Sequence, residues 1–346
     1  MERIALLLAP LLIALLAACG PAATVRPDEA AAARRMAWPA PPERAHIVYL
    51  RSISSPGDWN IHRNFGQRII DALAGGKAER LVRPSAVAER DGVLCIADPG
   101  AGALWIFDAS RNRSMKVVRA GDAMLVSPVA VAMRADGSVY VADTTLDSVF
   151  LFDRDGRFVR VAASEGLERP SAIAYDAQRD ALYVADSVRN RIVVFDAGGR
   201  RLRDWGRAGS GDGEFNRPTH LAFARGGALM VTDALNFRVQ AFDRDGRFLW
   251  KLGHHGDGSG DFAAPKGIAA DAAGNVYVAD ALFDVVQIFD ANGTFLLAFG
   301  EPGAAAGQLT LPGGIFIAGD DRVFVADTYN ARVQVFAALP EGPGGR

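Results

Sequence analysis

Cysteine and lysine are scarce in this chain of 346 residues, and its charge is almost balanced. There are two Cys, and only four of the 38 basic residues are Lys. The net charge of −2 argues against nucleic acid as a partner, because binding to phosphates needs a strongly basic surface. The excess of Arg over Lys is more typical of a GC-rich genome than of phosphate recognition. Arg-rich segments are therefore weak evidence for a binding site.

A long apolar run occurs at the amino terminus, from Ile4 to Leu16, and it is too short for a membrane-spanning helix, which needs about 20 residues. It is followed by Ala17-Ala18-Cys19-Gly20, which resembles the lipobox that the lipoprotein signal peptidase cleaves before Cys. We expect residues 1–18 to be a signal peptide and Cys19 to be lipidated. The protein is then a membrane-anchored lipoprotein of the bacterial cell envelope, facing the periplasm or the exterior. An ordinary secretory signal with an incidental Cys is the alternative.

The second cysteine, Cys95, lies within an apolar strand pattern. It is predicted to be a core residue, because a catalytic or metal-binding thiol needs partners and partial exposure. Lipidation of Cys19 would leave Cys95 without a partner for a disulfide. The fold must then be held together by strand pairing and packing.

Six copies of one motif dominate the rest of the chain. Each copy has an Asp after a short apolar run, and the six are Asp98, Asp143, Asp186, Asp233, Asp280 and Asp327. They are separated by 45, 43, 47, 47 and 47 positions. A period of about 40 to 50 residues built from short strands is typical of propeller blades.

Each copy has the pattern of four strands. In the fourth copy an inner strand follows Pro218, a second ends at Asp233, a third follows Arg238, and a fourth runs from Phe248 to Leu252. Apolar side chains alternate to both faces, so one blade cannot bury its faces alone, whereas a closed ring of blades can. The sequence therefore predicts an all-β fold, a six-bladed β-propeller of four-stranded antiparallel blades.

The ends of the chain predict how the ring closes. The sixth copy lacks a fourth strand, because the chain continues into a Pro- and Gly-rich tail at 340–346. Residues 46–51 belong to no repeat, yet they resemble the fourth strands of the other copies. We expect this amino-terminal strand to complete the last blade and remove its open edge.

The copies share further features, a Pro-x-x-[Ile/Val/Leu]-Ala start and, in the last copy, Asp327-Thr-Tyr-Asn330-Ala-Arg332-Val-Gln-Val-Phe336. With these features the chain resembles the NHL-repeat family of six-bladed β-propellers over residues 46–339. The first two copies depart from the family pattern because they lack the Asn and the Arg, and the fifth has Val285 where Arg is expected. Some intracellular members bind RNA through a basic face, which the charge and the predicted export argue against here.

Two further segments flank the ring. Residues 19–45 are rich in Ala and Pro and are predicted to be a tether that holds the propeller off the membrane. Residues 54–83 form an insertion in which Phe65, Ile69, Ile70 and Leu73 fall at helical spacing. We expect a short amphipathic helix laid against a rim of the propeller, where it plugs an edge or contacts a partner.

Candidate ligand-binding residues lie in the loops that enter the inner strands and in those that follow the repeated Asp, because these loops meet at one face. The candidates are His220, Lys266, Arg191, Arg238, Arg332, His254 and His255. His220 stands where the other copies have Ala or Gly, so we expect it at the central channel, as a ligand-binding or a space-filling group. The repeated Asp residues are expected to accept backbone N–H groups or to pair with the three Arg.

No catalytic residue, metal ligand or cofactor is predicted. Propeller lactonases hold a cation with Glu, Asp and Asn in the channel, and related propeller lyases use several His, whereas the inner strands here begin with small or isolated polar residues. The sequence favours a lipoprotein whose propeller binds an envelope protein or a small ligand. The alternative is a propeller hydrolase or lyase, similar to the lactonases or to peptidyl-hydroxyglycine lyase, with its site at the channel mouth.

Overall fold

The computed structural model describes residues 36–40, 43–62 and 79–339. The predicted signal peptide, Cys19, most of the tether, the predicted helix of the insertion and the tail at 340–346 lie outside these residues. Within the described ranges no helix is long and apolar enough to cross a membrane.

The chain folds into six antiparallel sheets that form a six-bladed β-propeller, as the sequence predicts. Blade one has the strands Ala86–Arg90, Val93–Asp98, Ala103–Asp108 and Arg113–Val117. Blade two has Pro128–Met133, Val139–Asp143, Ser148–Phe152 and Phe158–Ala163. Blade three has Pro170–Asp176, Ala181–Asp186, Arg191–Asp196 and Arg201–Trp205. Blade four has Pro218–Phe223, Leu229–Asp233, Arg238–Phe242 and Phe248–Leu252. Blade five has Pro265–Ala270, Val276–Asp280, Val285–Phe289 and Phe295–Phe299. A short hairpin, Arg119–Ala120 and Ala123–Met124, joins blades one and two.

Blade six is built from both ends of the chain. Pro312–Ile317, Arg322–Asp327 and Arg332–Ala338 supply its first three strands, and the amino-terminal strand Ile47–Ile53 supplies the fourth. Ile47 pairs with Ala338 and Ile53 with Val333. The predicted closure is therefore confirmed, and the edge of the last blade is paired.

The ordered ring begins earlier than position 46. Ala37–Trp38 adds a fifth strand to blade six, and the Trp38 ring packs against Phe299 and Phe336 with ring centroids 6.0 and 5.8 Å apart. Trp38 has a large apolar surface to bury, so this part of the chain packs on the propeller. The Pro-rich composition around it had indicated a tether instead.

The core lies between the blades, in six apolar clusters. Each sheet packs on both neighbours, so the second and third strands are buried almost throughout. Cys95 is part of the cluster between blades one and two, as predicted, and burial raises the pKa of its thiol to about 12. A thiol that stays protonated at neutral pH is not a nucleophile or a metal ligand.

The described ends of the insertion fill the groove between blades six and one. Trp59, Ile61 and Leu81 are buried there with side chains of both blades. The Trp59 indole N–H donates to the carbonyl of Gly92 at 2.9 Å, and a short 3₁₀ turn, Pro56–Trp59, positions the ring. These segments seal the junction at which the first and last blades meet.

The two faces of the ring differ. We call the face on which the inner strands begin the Asp face, because the second strands end there in the six repeated Asp residues. The opposite face, which carries the tight turns between first and second strands, is the turn face. The amino-terminal strand starts at the turn face, since Ile47 pairs with Ala338, whose N–H donates to Asp321 in a turn of that face at 3.0 Å.

Candidate functional site

The central channel contains a cavity of about 380 Å³. All six inner strands contribute to its walls, which are mainly apolar, with Leu221, Phe223, Tyr175 and Phe316 among the larger side chains. A cavity of this size, with few polar groups in an apolar wall, is typical of small-ligand sites.

His220 lines this cavity, as predicted from its place in the repeat. Its Nδ1 atom is buried, and the imidazole has no hydrogen-bond partner among the described residues. Desolvation, together with the nearby positive charge of Lys266, lowers the pKa of His220 to about 3. The imidazole is therefore neutral at physiological pH and keeps both a donor and an acceptor nitrogen for other groups.

Lys266 stands at the start of the inner strand of blade five, at the channel mouth on the Asp face. It forms no hydrogen bond or ion pair with the part of the chain that the structure describes. Its side chain is exposed to solvent, and partial desolvation by the neighbouring strands lowers the pKa of its ammonium. His220 and Lys266 are the two predicted site residues that the structure brings together, since the charge of one acts on the other.

Arg238 and Arg332 instead join neighbouring blades. The Arg238 Nε–H donates to Asp233 at 2.9 Å, and its terminal nitrogens donate to the carbonyls of Ser210, Gly211 and Glu214 in the crossing from blade three. With four of its five N–H groups engaged, Arg238 holds the crossing in place and has little left for a ligand. Arg332 makes the corresponding contacts in blade six.

Arg191 has a similar position in blade three but a looser set of partners. Its Nε lies 3.1 Å from Asp186, one terminal nitrogen lies 3.3 Å from Asp204, and the other donates to the carbonyl of Gly166 at 2.5 Å. It too is occupied by its own chain.

His254 and His255 lie in the crossing from blade four to blade five. The His254 Nε2 atom is 2.7 Å from a carboxylate oxygen of Asp261. The His255 ring stacks on Phe237 with centroids 4.3 Å apart. Both rings therefore contact the crossing or the adjoining loop, outside the channel.

The six repeated Asp residues are completely buried and have the structural role that the sequence predicts. Asp143 shows the basic arrangement, in which one carboxylate oxygen accepts the N–H groups of Val126 and Ser127 at 2.8 and 2.9 Å. Asp186, Asp233 and Asp327 also pair with the Arg of their own blades. The carboxylates thus fix the loop that enters each inner strand.

Potential metal ligands are scattered in the described parts of the chain. Among residues 36–40, 43–62 and 79–339, no group of three or more His, Cys, Asp or Glu is placed to hold a metal ion. Glu89, the acid at the far end of the channel, is engaged: it accepts the N–H of Gly92 at 2.9 Å and lies 3.4 Å from Arg322.

The structure adds a surface that the sequence reasoning missed. Every blade exposes one apolar side chain on the Asp face, and we call this set the apolar rim: Val82, Val126, Val188, Leu235, Leu282 and Tyr329. The last four occupy one repeat position, two residues after the repeated Asp, so an alignment of the copies could have revealed them. Leu282 is 66 % exposed and Tyr329 61 %.

Cations accompany the apolar rim. Arg83, Arg169 and Arg217 are exposed and immediately precede the first Pro of blades one, three and four. None of the three forms an ion pair with the described parts of the chain. With Lys266 they place four cations without ion pairs on the described part of the Asp face.

No family model matches this chain, and no curated protein is similar to it in sequence. Solved structures do share its fold. A catalytically inactive His-to-Ala variant of virginiamycin B lyase from Staphylococcus aureus, solved with quinupristin, has a TM-score of 0.56 at 12% identity, covering 74% of this chain and 95% of that one.

Two other structures extend the comparison. A structural genomics protein of unknown function from Bacteroides thetaiotaomicron has a TM-score of 0.58 at 17% identity, over 75% of this chain and 70% of that one. A chain of the nidogen/laminin complex has a TM-score of 0.52 at 21% identity, over 65% and 84%. These similarities show a β-propeller fold that serves both an enzyme and a protein complex, so function depends on the site.

Proposed function

We propose that this chain is an NHL-type propeller that acts as a rigid binding platform, and that its Asp face binds an acidic, partly apolar surface of another envelope protein. The apolar rim carries the proposal. Monomeric surfaces expose single apolar residues at random, whereas here each blade presents one on the same face. Apolar contacts surrounded by charge are typical of protein interfaces.

The charges on this face favour an acidic partner. Arg83 lies beside Val82 in one loop, and Arg169 and Arg217 lie in the loops that enter the inner strands of blades three and four. None of the three has a counter-ion within the described chain. Unpaired Arg at an interface supplies both charge attraction and apolar contact. Nucleic acid is a weaker candidate, because the cations are few and are separated by apolar side chains.

The lipid anchor on Cys19 is a further part of the proposal. Ala37–Trp38 pairs antiparallel with Ile47–Ile53, so residues 36–38 run back along the outer edge of blade six. Cys19 itself lies outside the described residues; incorporation of labelled palmitate in the wild type, and its loss in Cys19→Ala, would support the anchor, and an unlabelled wild type would contradict it.

Photo-crosslinking in the producing cell tests the platform. A photoreactive amino acid at Leu282 should give a discrete protein adduct, and Arg169→Glu with Arg217→Glu should weaken it. Leu296 is the matched control, since it is 49% exposed on an outer strand, away from the rim. Equal adducts from both positions, an adduct removed by nuclease, or adducts with lipid alone would each contradict the proposal.

A lyase is the second candidate, and one observation favours it. A neutral imidazole with an unpaired nitrogen faces a cavity and is placed to accept a proton, although a pKa of about 3 makes it a weak general base. Against this, no carboxylate among the described residues orients the ring. Quinupristin, the compound present with the S. aureus lyase, is a practical probe. We expect no conversion by chromatography with mass spectrometry; conversion that disappears in His220→Ala would make the lyase the leading function.

A further inference from the structure

The side chain of His220 points toward blade five. Its strand pairs regularly here, His220 with Thr232 and Ala222 with Met230, so the side chains of His220 and Ala222 lie on the same side. Ala222 packs in the cluster shared by blades four and five, beside Ile268. His220 therefore faces the inner strand on which Lys266 stands.

This arrangement occurs at one of the six junctions between inner strands. Blade six has Gly314 at the position of His220, and at the junction of blades five and six a Cβ added to Gly267 would lie 2.5 Å from the carbonyl of Gly313. The strands there leave no room for a side chain. Blades four and five instead hold an imidazole and an ammonium at the channel mouth.

Both groups lack partners within the described chain. The His220 Nδ1 atom is buried without a hydrogen bond, and the Lys266 ammonium has no counter-ion. The imidazole lines the cavity and Lys266 is exposed at its mouth, so both can meet an anion that enters the channel from the Asp face. The cavity wall also contains Glu89, which lies 3.4 Å from Arg322, and Arg90, both at the opposite end of the channel.

We propose that the channel mouth, where His220 and Lys266 lie on neighbouring inner strands, binds the carboxylate of a small organic acid whose apolar body extends into the central channel. The ammonium supplies the charge, the imidazole N–H donates to a carboxylate oxygen, and Leu221 and Phe223 belong to the wall that encloses the body of the ligand.

Charge and size select this class of ligand. One cation matches a monoanion, whereas a phosphate dianion would bring a second charge into an apolar channel. A cavity of about 380 Å³ accommodates a compact aromatic or aliphatic acid. The site does not depend on the apolar rim, so Leu282→Glu, which is expected to abolish partner binding, should leave acid binding unchanged.

Calorimetric titration of the purified protein with matched probes tests the site. We expect 3-phenylpropionate or octanoate to bind, the amide of the same skeleton to bind at least about tenfold more weakly, and 3-phenylpropylamine not to bind. Equal affinity for acid and amide, or no binding of either acid at millimolar concentration, would overturn the proposal.

Variants assign the contacts. Lys266→Met should weaken acid binding about tenfold and leave amide binding unchanged, while His220→Ala should weaken the acid by a smaller factor. Lys251→Met is the control, since Lys251 pairs with Asp212 at 2.6 Å on an outer strand. Thermal unfolding confirms that each variant is folded. Wild-type affinity for the acid in a folded Lys266→Met protein would also overturn the site.

Discussion

Blades four and six contain the same network of hydrogen bonds, yet one is continuous and the other is assembled from both ends of the chain. The Asp233, Arg238 and Gln240 side chains of blade four have exact counterparts in Asp327, Arg332 and Gln334. In both blades the Gln amide also bonds to the crossing from the preceding blade. We call each set a latch.

Blade five lies between them and has an incomplete latch. Asp280 and Gln287 are present, and the Gln287 amide donates to the carbonyl of Asp261 at 2.7 Å, but Val285 replaces the Arg. Asp280 is left with backbone donors alone, among them the N–H groups of Ala263 and Leu282. A blade can therefore form without a complete latch, because the latch acts within one blade and the crossing before it. Closure of blade six instead depends on pairing between strands from both ends of the sequence.

Removal of residues 46–53 should have the largest effect, because it breaks blade six and leaves blade four intact. The strand Arg332–Ala338 would become an exposed edge, and cluster residues such as Ile47 and Tyr49 would be lost. We expect aggregation and loss of the cooperative thermal transition. A truncated protein that stays monomeric by light scattering and melts like the full chain would refute this role.

Replacement of the latch carboxylates comes next. Asp233→Ala and Asp327→Ala each leave a buried Arg without its counter-ion and should cost about 3–5 kcal/mol of unfolding free energy. Asp280→Ala removes an acceptor of backbone N–H groups alone, and about 1–3 kcal/mol is expected. Urea unfolding measures the three values. Equal losses of unfolding free energy in all three variants would show that the Arg adds nothing to the stability of the latch.

Exchanging the Arg of blade four and the Val of blade five, each at its own position, should have a smaller effect on the unfolding free energy. In a Val285→Arg variant the new Arg should pair with Asp280 and donate to the carbonyls of the crossing at 257–261. These contacts should raise the unfolding free energy by about 1 kcal/mol. Arg238→Val should do the reverse and cost more, since it leaves Asp233 buried without its Arg. A destabilised Val285→Arg protein in the same urea assay would mean that the crossing into blade five cannot form the latch.

The last prediction depends on pH and concerns His220, where blade six has Gly314. The pKa of His220 in the folded protein is about 3, below the value of about 6.5 for an unfolded chain. Protons therefore bind the unfolded state first, and stability contributed by the neutral imidazole is present above pH 6.5 and lost as the pH falls toward 3.

In thermal unfolding between pH 7 and 4, His220→Ala should accordingly lose less stability than the wild type, apart from any constant offset. His255→Ala, in an exposed crossing, is the control and should follow the wild type. Parallel pH profiles for wild type and His220→Ala would contradict a buried neutral imidazole.

The fold could be predicted because repetition is a strong signal: six copies at one period define the blades, and the unmatched strand at 46–51 predicted the closure. Prediction of the site was weaker for a physical reason. Arg238 and Arg332 recur in the copies because they hold the ring, so repetition identified structural groups. His220 and Lys266 do not repeat, and their unpaired state depends on which strands become neighbours. The apolar rim was missed because exposure is decided by the packing of whole loops.

The amino-terminal strand also determines when the protein can finish folding. Ile47 leaves the ribosome 291 residues before its partner Ala338. Until then, five blades can stack in sequence while the first strand of the chain has nothing to pair with. A ribosome that stalls within the sixth repeat would therefore release an open ring with two unpaired strand edges, which promote aggregation. The strand Arg332–Ala338 therefore acts as a completion signal for the ring.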